Sequence, residues 1–319
     1  MKYLALLAAA ASLLTAGAAE AQYPDKPVRV IVPFIAGSAP DVAARQVAQR
    51  LTAGLGQQFV VENKPGAAGN IGAEVAARMP PDGYSLMLMT SSHVLSRFLY
   101  ARLNYDAVKD FTPVTMITRI PSLMVVPPES PAKTVVEFIA LAKSMPGKLN
   151  YGSGGVGSLA HLSGEAFRLA AGVDYVHVPY KGAPDIILGL LGNQIQVGFP
   201  TMPTAFRPAQ QGTLRALAVT SAKRTKAMPE VPTLLEAMPN GFDLEAWLAL
   251  VAPAGTPPEI VTRLYTVLID GLKDPAFRSA LDGDGSEVVF NTPADFATLL
   301  QSEAAKWQAL INRIGVKLE

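Results

Sequence analysis

The residues best suited to chemistry gather in one short run, Gly152-Ser153-Gly154-Gly155-Val156-Gly157. It satisfies G-x-G-x-x-G, follows a short strand and precedes a helical stretch beginning at Leu159. Asp174 lies seventeen residues beyond the last glycine. That spacing is compatible with a dinucleotide fingerprint, a flexible turn or an anion-binding loop. The strand before it is very short and no redox residue accompanies it, which favours the anion loop. Amides at a helix N-terminus, with the hydroxyls of Ser153 and Ser158, hold a carboxylate as readily as a phosphate. Two further segments are of the same kind. Phe34-Ile35-Ala36-Gly37-Ser38 follows the first strand, with Asp41 placed to cap the next helix. Thr90-Ser91-Ser92-His93 sets four polar groups at the end of an apolar strand.

Other chemistries find little support. No serine has the G-x-S-x-G context of a nucleophile elbow. His93, His161 and His177 are scattered, with no HxH or HExxH spacing. His161 and Glu165 are four apart on a helix, a spacing read as a hydrogen-bonded pair at the helix start rather than a metal pair. The chain has no cysteine, which excludes thiolate chemistry and a disulfide scaffold. A net charge of +1 argues against a nucleic-acid binder. A hydrophobic content of 50% excludes a disordered chain. No catalytic residue, metal or cofactor is expected.

Positioning three strand-end loops requires alternating strands and helices. Val28–Val32 is a β-branched strand, Pro40 to Leu55 a helix, Phe59 to Glu62 a strand, Asn70 to Met79 a helix and Tyr84 to Thr90 a buried strand. The pattern restarts with strands at Leu123–Val126, Leu149–Tyr151, Tyr175–Val178, Ile195–Phe199 and Leu214–Thr220. Helices are expected at Thr134–Ser144, Leu159–Ala171 and Ala183–Leu191, and late ones at Thr256–Leu272 and Pro293–Ile314. The β-α-β order implies an α/β protein with two lobes, each a mainly parallel sheet flanked by helices. Thr115–Val126 and Phe242–Ala252 read as extended crossings between the lobes. The expected division is 22–122 with 248–319 for a discontinuous first lobe and 123–247 for the second. The ligand cleft belongs between them, at the strand ends.

The N-terminus reads as an export signal. Lys2 precedes the apolar run Leu4–Leu14, and Ala19-Glu20-Ala21 is a small-x-small cleavage site. Residues 1–21 are expected to be removed after Ala21. With no cysteine for lipid attachment, an untethered periplasmic product is expected.

Several stretches carry a resemblance: Tyr23-Pro24-Asp25-Lys26-Pro27-Val28, Val61-Glu62-Asn63-Lys64-Pro65-Gly66-Ala67, Pro81-Asp82-Gly83-Tyr84, His177-Val178-Pro179-Tyr180-Lys181-Gly182 and Leu214-Arg215-Ala216-Leu217-Ala218-Val219-Thr220. With these, the chain resembles, nearly end to end, the Bug-type extracytoplasmic solute receptors of tripartite tricarboxylate transporters. The resemblance implies a two-lobed, type II-like periplasmic binding protein that closes on a small carboxylate and passes it to permease subunits driven by an ion gradient. No heptad run or obvious interface patch argues against a monomer, and the near-neutral charge gives no reason to expect a nucleic-acid partner. The resemblance places ligand contacts on Phe34, Ile35, Ala36, Gly37 and Ser38; on Thr90, Ser91, Ser92 and His93; on Ser153, Gly154, Gly155, Val156, Gly157, Ser158 and His161; and on Pro200 and Thr201. Three positions depart from the family. Ile35-Ala36-Gly37-Ser38 stands where a Pro-Gly-Gly run is frequent, which adds apolar surface. Pro200 replaces a frequent Asp that would read an ammonium group, and Thr90-Ser91-Ser92 lacks a frequent Gly. The expected ligand is a non-amino carboxylate, dicarboxylic or aromatic. Ligand sensing for a membrane signalling protein, or an exported enzyme, are the alternative readings.

Overall fold

Strand β1 (Val28–Val32) is β-branched at every position but Arg29 and is buried apart from that residue. The computed structural model describes residues 23–282 and 285–315; the expected signal peptide and its cleavage point lie outside them. Helix α1 (Ala39–Leu55) follows β1 and ends on Gly56, whose left-handed φ of 75° lets its amide reach Thr52. Next come β2 (Phe59–Asn63), α2 (Asn70–Ala77), β3 (Ser85–Thr90), α3 (Ser91–Leu99) and β4 (Phe111–Pro121). The middle of the chain forms β5 (Leu123–Val126), α4 (Val135–Ser144), β6 (Asn150–Ser153), α5 (Leu159–Ala171) and β7 (Val176–Pro179). It continues with α6 (Ala183–Leu191), β8 (Val197–Gly198), α7 (Met202–Gln210), β9 (Arg215–Val219) and α8 (Leu234–Ala237). The chain then returns through β10 (Glu245–Pro253), α9 (Pro258–Gly271), α10 (Pro275–Leu281), β11 (Glu287–Val288) and α11 (Pro293–Ile314). Among the described residues, no helix is long and apolar enough to cross a membrane.

Two sheets result, ordered β11-β4-β10-β3-β1-β2 and β7-β6-β8-β5-β9. β1 pairs in parallel with β2 and β3, and β6 with β7 and β8. The remaining pairings are antiparallel. The two-lobed α/β class expected above is therefore present, but its mainly parallel sheets are corrected to mixed ones. The cause is the crossing strands: each strand that carries the chain between the sheets enters its new sheet against the direction of the local β-α-β units.

Each sheet is covered on both faces. On one face of the first sheet, Ala44, Val47 and Leu51 of α1 pack with Leu264 and Leu268 of α9 and Phe277 of α10. On the other, Ala73, Val94 and Leu99 pack with Phe296, Leu300, Trp307 and Ile311 of α11, and Leu162 and Ala166 of α5 join the same cluster. The second lobe thus leans on the first through α5.

β4 and β10 pair from Glu245 opposite Pro121 to Pro253 opposite Phe111, with register shifts between Leu248 and Ala249 and between Leu250 and Val251. At the lobe-facing end of this ladder lies a charged knot. Arg119 stands 3.7 Å from Glu245, and Lys306 lies 2.9 Å from both Asp243 and Glu303. These residues line a cavity of about 230 Å³ together with Met116 and Trp247. The Glu245 side chain is only 13% exposed. Burial, reinforced by Asp243 and Glu287 and partly opposed by Arg119 and Lys306, pushes its carboxyl up to about 7. The folded state therefore holds a proton that the unfolded state has released, so this group's contribution to stability falls as pH rises from about 4.5 to about 7. Glu245→Gln is expected to flatten that slope and to raise the denaturant midpoint at pH 8 relative to the parent. Urea melts across the pH range check it.

Candidate functional site

Loop Phe34–Ser38 is organised from below by Asp41. This residue is not the N-cap expected from the sequence; Ser38 holds that position, without a side-chain cap bond. Asp41 sits in the first turn of α1 and reaches back instead. Its carboxylate accepts the Gly37 amide at 2.9 Å, Arg45 Nε at 2.9 Å and Asn63 Nδ2 at 2.8 Å. Asn63, at the end of β2, also donates to the Phe34 carbonyl at 3.0 Å. Gly37 takes a left-handed φ of 79°, which a side chain would strain.

The third loop is a helix start. Thr90 caps α3 through a capping box whose second member is His93. The Thr90 amide donates to His93 Nδ1 at 3.0 Å, so in the neutral ring the proton resides on Nε2. Thr90 Oγ1 and Ser92 Oγ are 2.6 Å apart. His93 is fully buried, and burial holds it down to about 4, so the ring is neutral at pH 7. Phe34 meets it edge-on, with centroids 5.8 Å apart. The same junction holds a residue not selected from the sequence, Gly69. A Cβ there would stand 2.8 Å from His93 Nε2 and 3.2 Å from Phe34 Cζ. The run Gly66-Ala67-Ala68-Gly69 has positive φ throughout, so the end of β2 turns tightly onto the ends of β1 and β3. The signal was available: a glycine-rich segment between a strand and a helix, the rule that identified the other loops.

In the second lobe, β6 delivers Ser153 and α5 begins at the N-cap Ser158, whose hydroxyl accepts the His161 amide at 3.3 Å. Ser153 Oγ accepts the Gly155 amide at 3.1 Å and lies 2.6 Å from His177 Nε2. His161 Nδ1 accepts the Gly157 amide at 3.2 Å, which leaves its proton on Nε2. The rings of His161 and His177 are 4.4 Å apart, and that of Tyr151 lies 4.8 Å from His177. Burial, helped by the neighbouring His177, holds His161 down to about 4; burial lowers His177 also. Both imidazoles are neutral at pH 7. His177, which lies in the strand expected at Tyr175–Val178, thus buttresses the loop directly.

The expected His161–Glu165 hydrogen-bonded pair is corrected. Glu165 instead accepts from Tyr151 Oη at 2.7 Å and from Arg168 Nε at 2.9 Å. Its carboxylate is engaged by a phenol and a guanidinium rather than by His161. Gly152 is explained by packing: a Cβ there would run into Ile195. Among the described residues no cluster of metal-ligating side chains occurs.

Many amides in these loops are spent internally, those of Gly37, Thr90, Gly155, Gly157 and Ser158 among them. Among the described residues, the amides of Ala36, Gly154 and Val156 have no hydrogen-bond partner. An anion meeting them would be held by dipoles and neutral imidazoles rather than by a cation. Pro200 and Thr201 are fixed by backbone contacts. The Pro200 carbonyl accepts the Leu123 amide at 3.0 Å and Thr201 bridges to Ser122, which ties both to the crossing at the start of β5.

Comparison with known proteins follows the same lines. The pattern of the tripartite tricarboxylate transporter family receptor matches residues 43–316. Protein BugT of Bordetella pertussis strain Tohama I is 34% identical over 299 residues, covering 93% of this chain and 92% of BugT. A TctC solute binding protein from Polaromonas, solved without ligand, aligns with a TM-score of 0.83 at 32% identity, covering 91% of this chain and 99% of that one. An R. palustris protein solved with adipate gives 0.77 at 34% identity over 92% and 99%. MatC from Rhodopseudomonas palustris with bound malate gives 0.73 at 30% identity over 91% and 100%.

Proposed function

The chain belongs to the tripartite tricarboxylate transporter receptor family, and from that premise we propose that it captures a small carboxylate between its lobes in the periplasm and hands it to the permease subunits of such a transporter. The observation that carries this reading is the set of open amides, Ala36 in one lobe and Gly154 and Val156 in the other, at strand ends beside neutral imidazoles. Such a site neutralises a carboxylate by oriented dipoles and can release it on opening. The proposed contacts are the loops Phe34–Ser38, Thr90–His93 and Ser153–Ser158 with His161, to which the loop ending at Gly69 is added. Pro200 and Thr201, at the start of the crossing into β5, are proposed as further contacts. The lobes are proposed to divide as 22–122 with 248–319 against 123–247, a reading supported by the first sheet drawing strands from both ends of the chain. Export by cleavage after Ala21 and a monomeric state complete the proposal.

Ligand binding to the folded state alone raises the melting temperature by mass action. A panel of mono-, di- and tricarboxylates, applied to protein verified ligand-free by native mass spectrometry, is expected to contain at least one acid that shifts the melt and gives a calorimetric isotherm. A flat response across the panel would sink the proposal.

A further inference from the structure

Ile35 and Val156 are large aliphatic residues left 67% and 51% exposed. Each stands in the middle of a strand-end loop, one in each lobe. Each also adjoins an open amide: Ile35 precedes Ala36, and Val156 carries a free N–H itself and lies two residues past Gly154. Exposed aliphatic surface beside unpaired N–H groups matches a ligand that is anionic at its end and hydrocarbon next to that end.

Five of the loop hydroxyls point the same way, the Ser91 hydroxyl at the start of α3 being without a hydrogen-bond partner among the described residues. A hydroxylated ligand needs free polar partners in the site. Ser38 Oγ already donates to the Ile35 carbonyl at 2.7 Å, and Thr90 and Ser92 are bonded to each other at 2.6 Å. Ser153 is engaged by His177 at 2.6 Å, and Ser158 is occupied in capping α5. Of the basic residues in the adjoining segments, Arg45 is paired with Asp41, and Lys181 is exposed. The loops themselves contain no cation; Lys181, beside the Gly182 that lies against Gly154, is the basic residue that adjoins them.

Resting on the receptor reading above, we propose that Ile35 and Val156 are specificity-determining residues that select a carboxylate with a hydrocarbon body over one with a hydroxylated body. When the lobes close, they cover the methylene or ring portion of the ligand, while Ala36, Gly154 and Val156 hold its anionic end.

Matched pairs of acids test this by isothermal titration calorimetry on ligand-free protein. Adipate and galactarate share chain length and charge but differ in four CH₂ against four CHOH groups; hexanoate and gluconate form the corresponding monocarboxylate pair. The hydrocarbon member of at least one pair is expected to bind roughly tenfold or more tighter than its hydroxylated partner, the worth of a partly buried aliphatic contact. Ile35→Ser and Val156→Ser, both at exposed loop positions, are each expected to weaken that acid by roughly five- to tenfold. The hydroxylated partner's affinity should stay where it was. Tighter binding of the hydroxylated member overturns the proposal, as does equal weakening of both members, which would make the two residues a latch indifferent to ligand. Binding of citrate with neither pair recognised overturns it too and leaves the receptor reading intact. Absence of binding by every acid, citrate included, overturns the receptor reading and this inference together.

Discussion

Asp41→Ala is expected to lower stability by about 2–3 kcal/mol and ligand affinity by about tenfold or more, from a residue that need not touch the ligand. The carboxylate is buried and gathers three donors from three places: the Gly37 amide, the Asn63 side chain and Arg45. Truncation strands the first two as donors without an acceptor, each at about 1–3 kcal/mol, while the half-exposed Arg45 turns to water at little cost. It also frees the loop that carries Ile35 and Ala36, so binding must supply the ordering that Asp41 now provides. The pH dependence gives an independent readout. The Arg45 hydrogen bond, then those of Gly37 and Asn63, hold this carboxyl at about 2, against the opposing effect of burial. Its folded-state value lies below its unfolded one, so the stability it confers is fully present above about pH 4 and is lost as pH falls through about 2. Asp41→Asn keeps the shape and removes the charge, and should flatten that acid limb. Chemical denaturation from pH 2 to 7, with calorimetry at pH 7, checks both parts. A mutant that melts like the parent and binds as tightly would show that the loop is organised otherwise.

Trp307→Ala is expected to cost more, about 3–5 kcal/mol, the range for removing a fully buried aromatic side chain. For a chain of this size that corresponds to a fall in melting temperature of about 10 °C. Trp307 is 0% exposed in the middle of α11 and shares a core with Trp247, Phe296, Leu300 and Ile311. Its Nε1 is buried without a hydrogen-bond partner, so the loss is one of packing alone. Trp307→Phe, which also deletes that unpaired N–H, is therefore expected to cost much less. The cluster includes Leu162 and Ala166 from the other lobe, so the cavity opens beneath α5, the helix whose N-terminus carries Ser158 and His161. Differential scanning calorimetry of the three proteins, with and without a binding carboxylate, separates the two consequences. A Trp307→Ala midpoint within about 2 °C of the parent would contradict the packing argument.

The fold was most legible where local rules act alone. The β-branched run Val28–Val32, the helix running to Leu55 and the helix beginning at Leu159 all follow from neighbours in sequence. Helix Ser91–Leu99 was missed for a physical reason: its capping box pairs Thr90 with His93, not with the Glu or Gln that marks such starts. The direction of the crossing strands was illegible because pairing partners far away in sequence decide it, β8 and β9 for β5 and β3 and β4 for β10. In the site, the strand-end rule located three loops, yet residue type could not say which amides remain open. That depends on Asp41 taking Gly37, His161 taking Gly157 and Ser153 taking Gly155, choices made by geometry after folding. Gly69 escaped because its contribution is an absence of side chain, which becomes visible only when His93 and Phe34 are seen on either side of it.

The position of β10 also governs how the molecule comes together. β3 and β4 are successive strands, yet β10 lies between them, bonded to both, and it is made only after all five strands of the second sheet. A chain growing from its N-terminus therefore holds a first sheet split in two, with both inner edges bare, until Glu245–Pro253 exists to fill the gap. Closing that gap joins segments more than a hundred residues apart, the kind of contact that slows folding and leaves edges open to wrong partners meanwhile. The second sheet, contiguous in the chain from Leu123 to Val219, closes over shorter separations. The β4–β10 seam is thus completed late in assembly, with only β11 and the C-terminal helices still to follow, and exposure to aggregation or proteolysis should be greatest in chains that stop short of it.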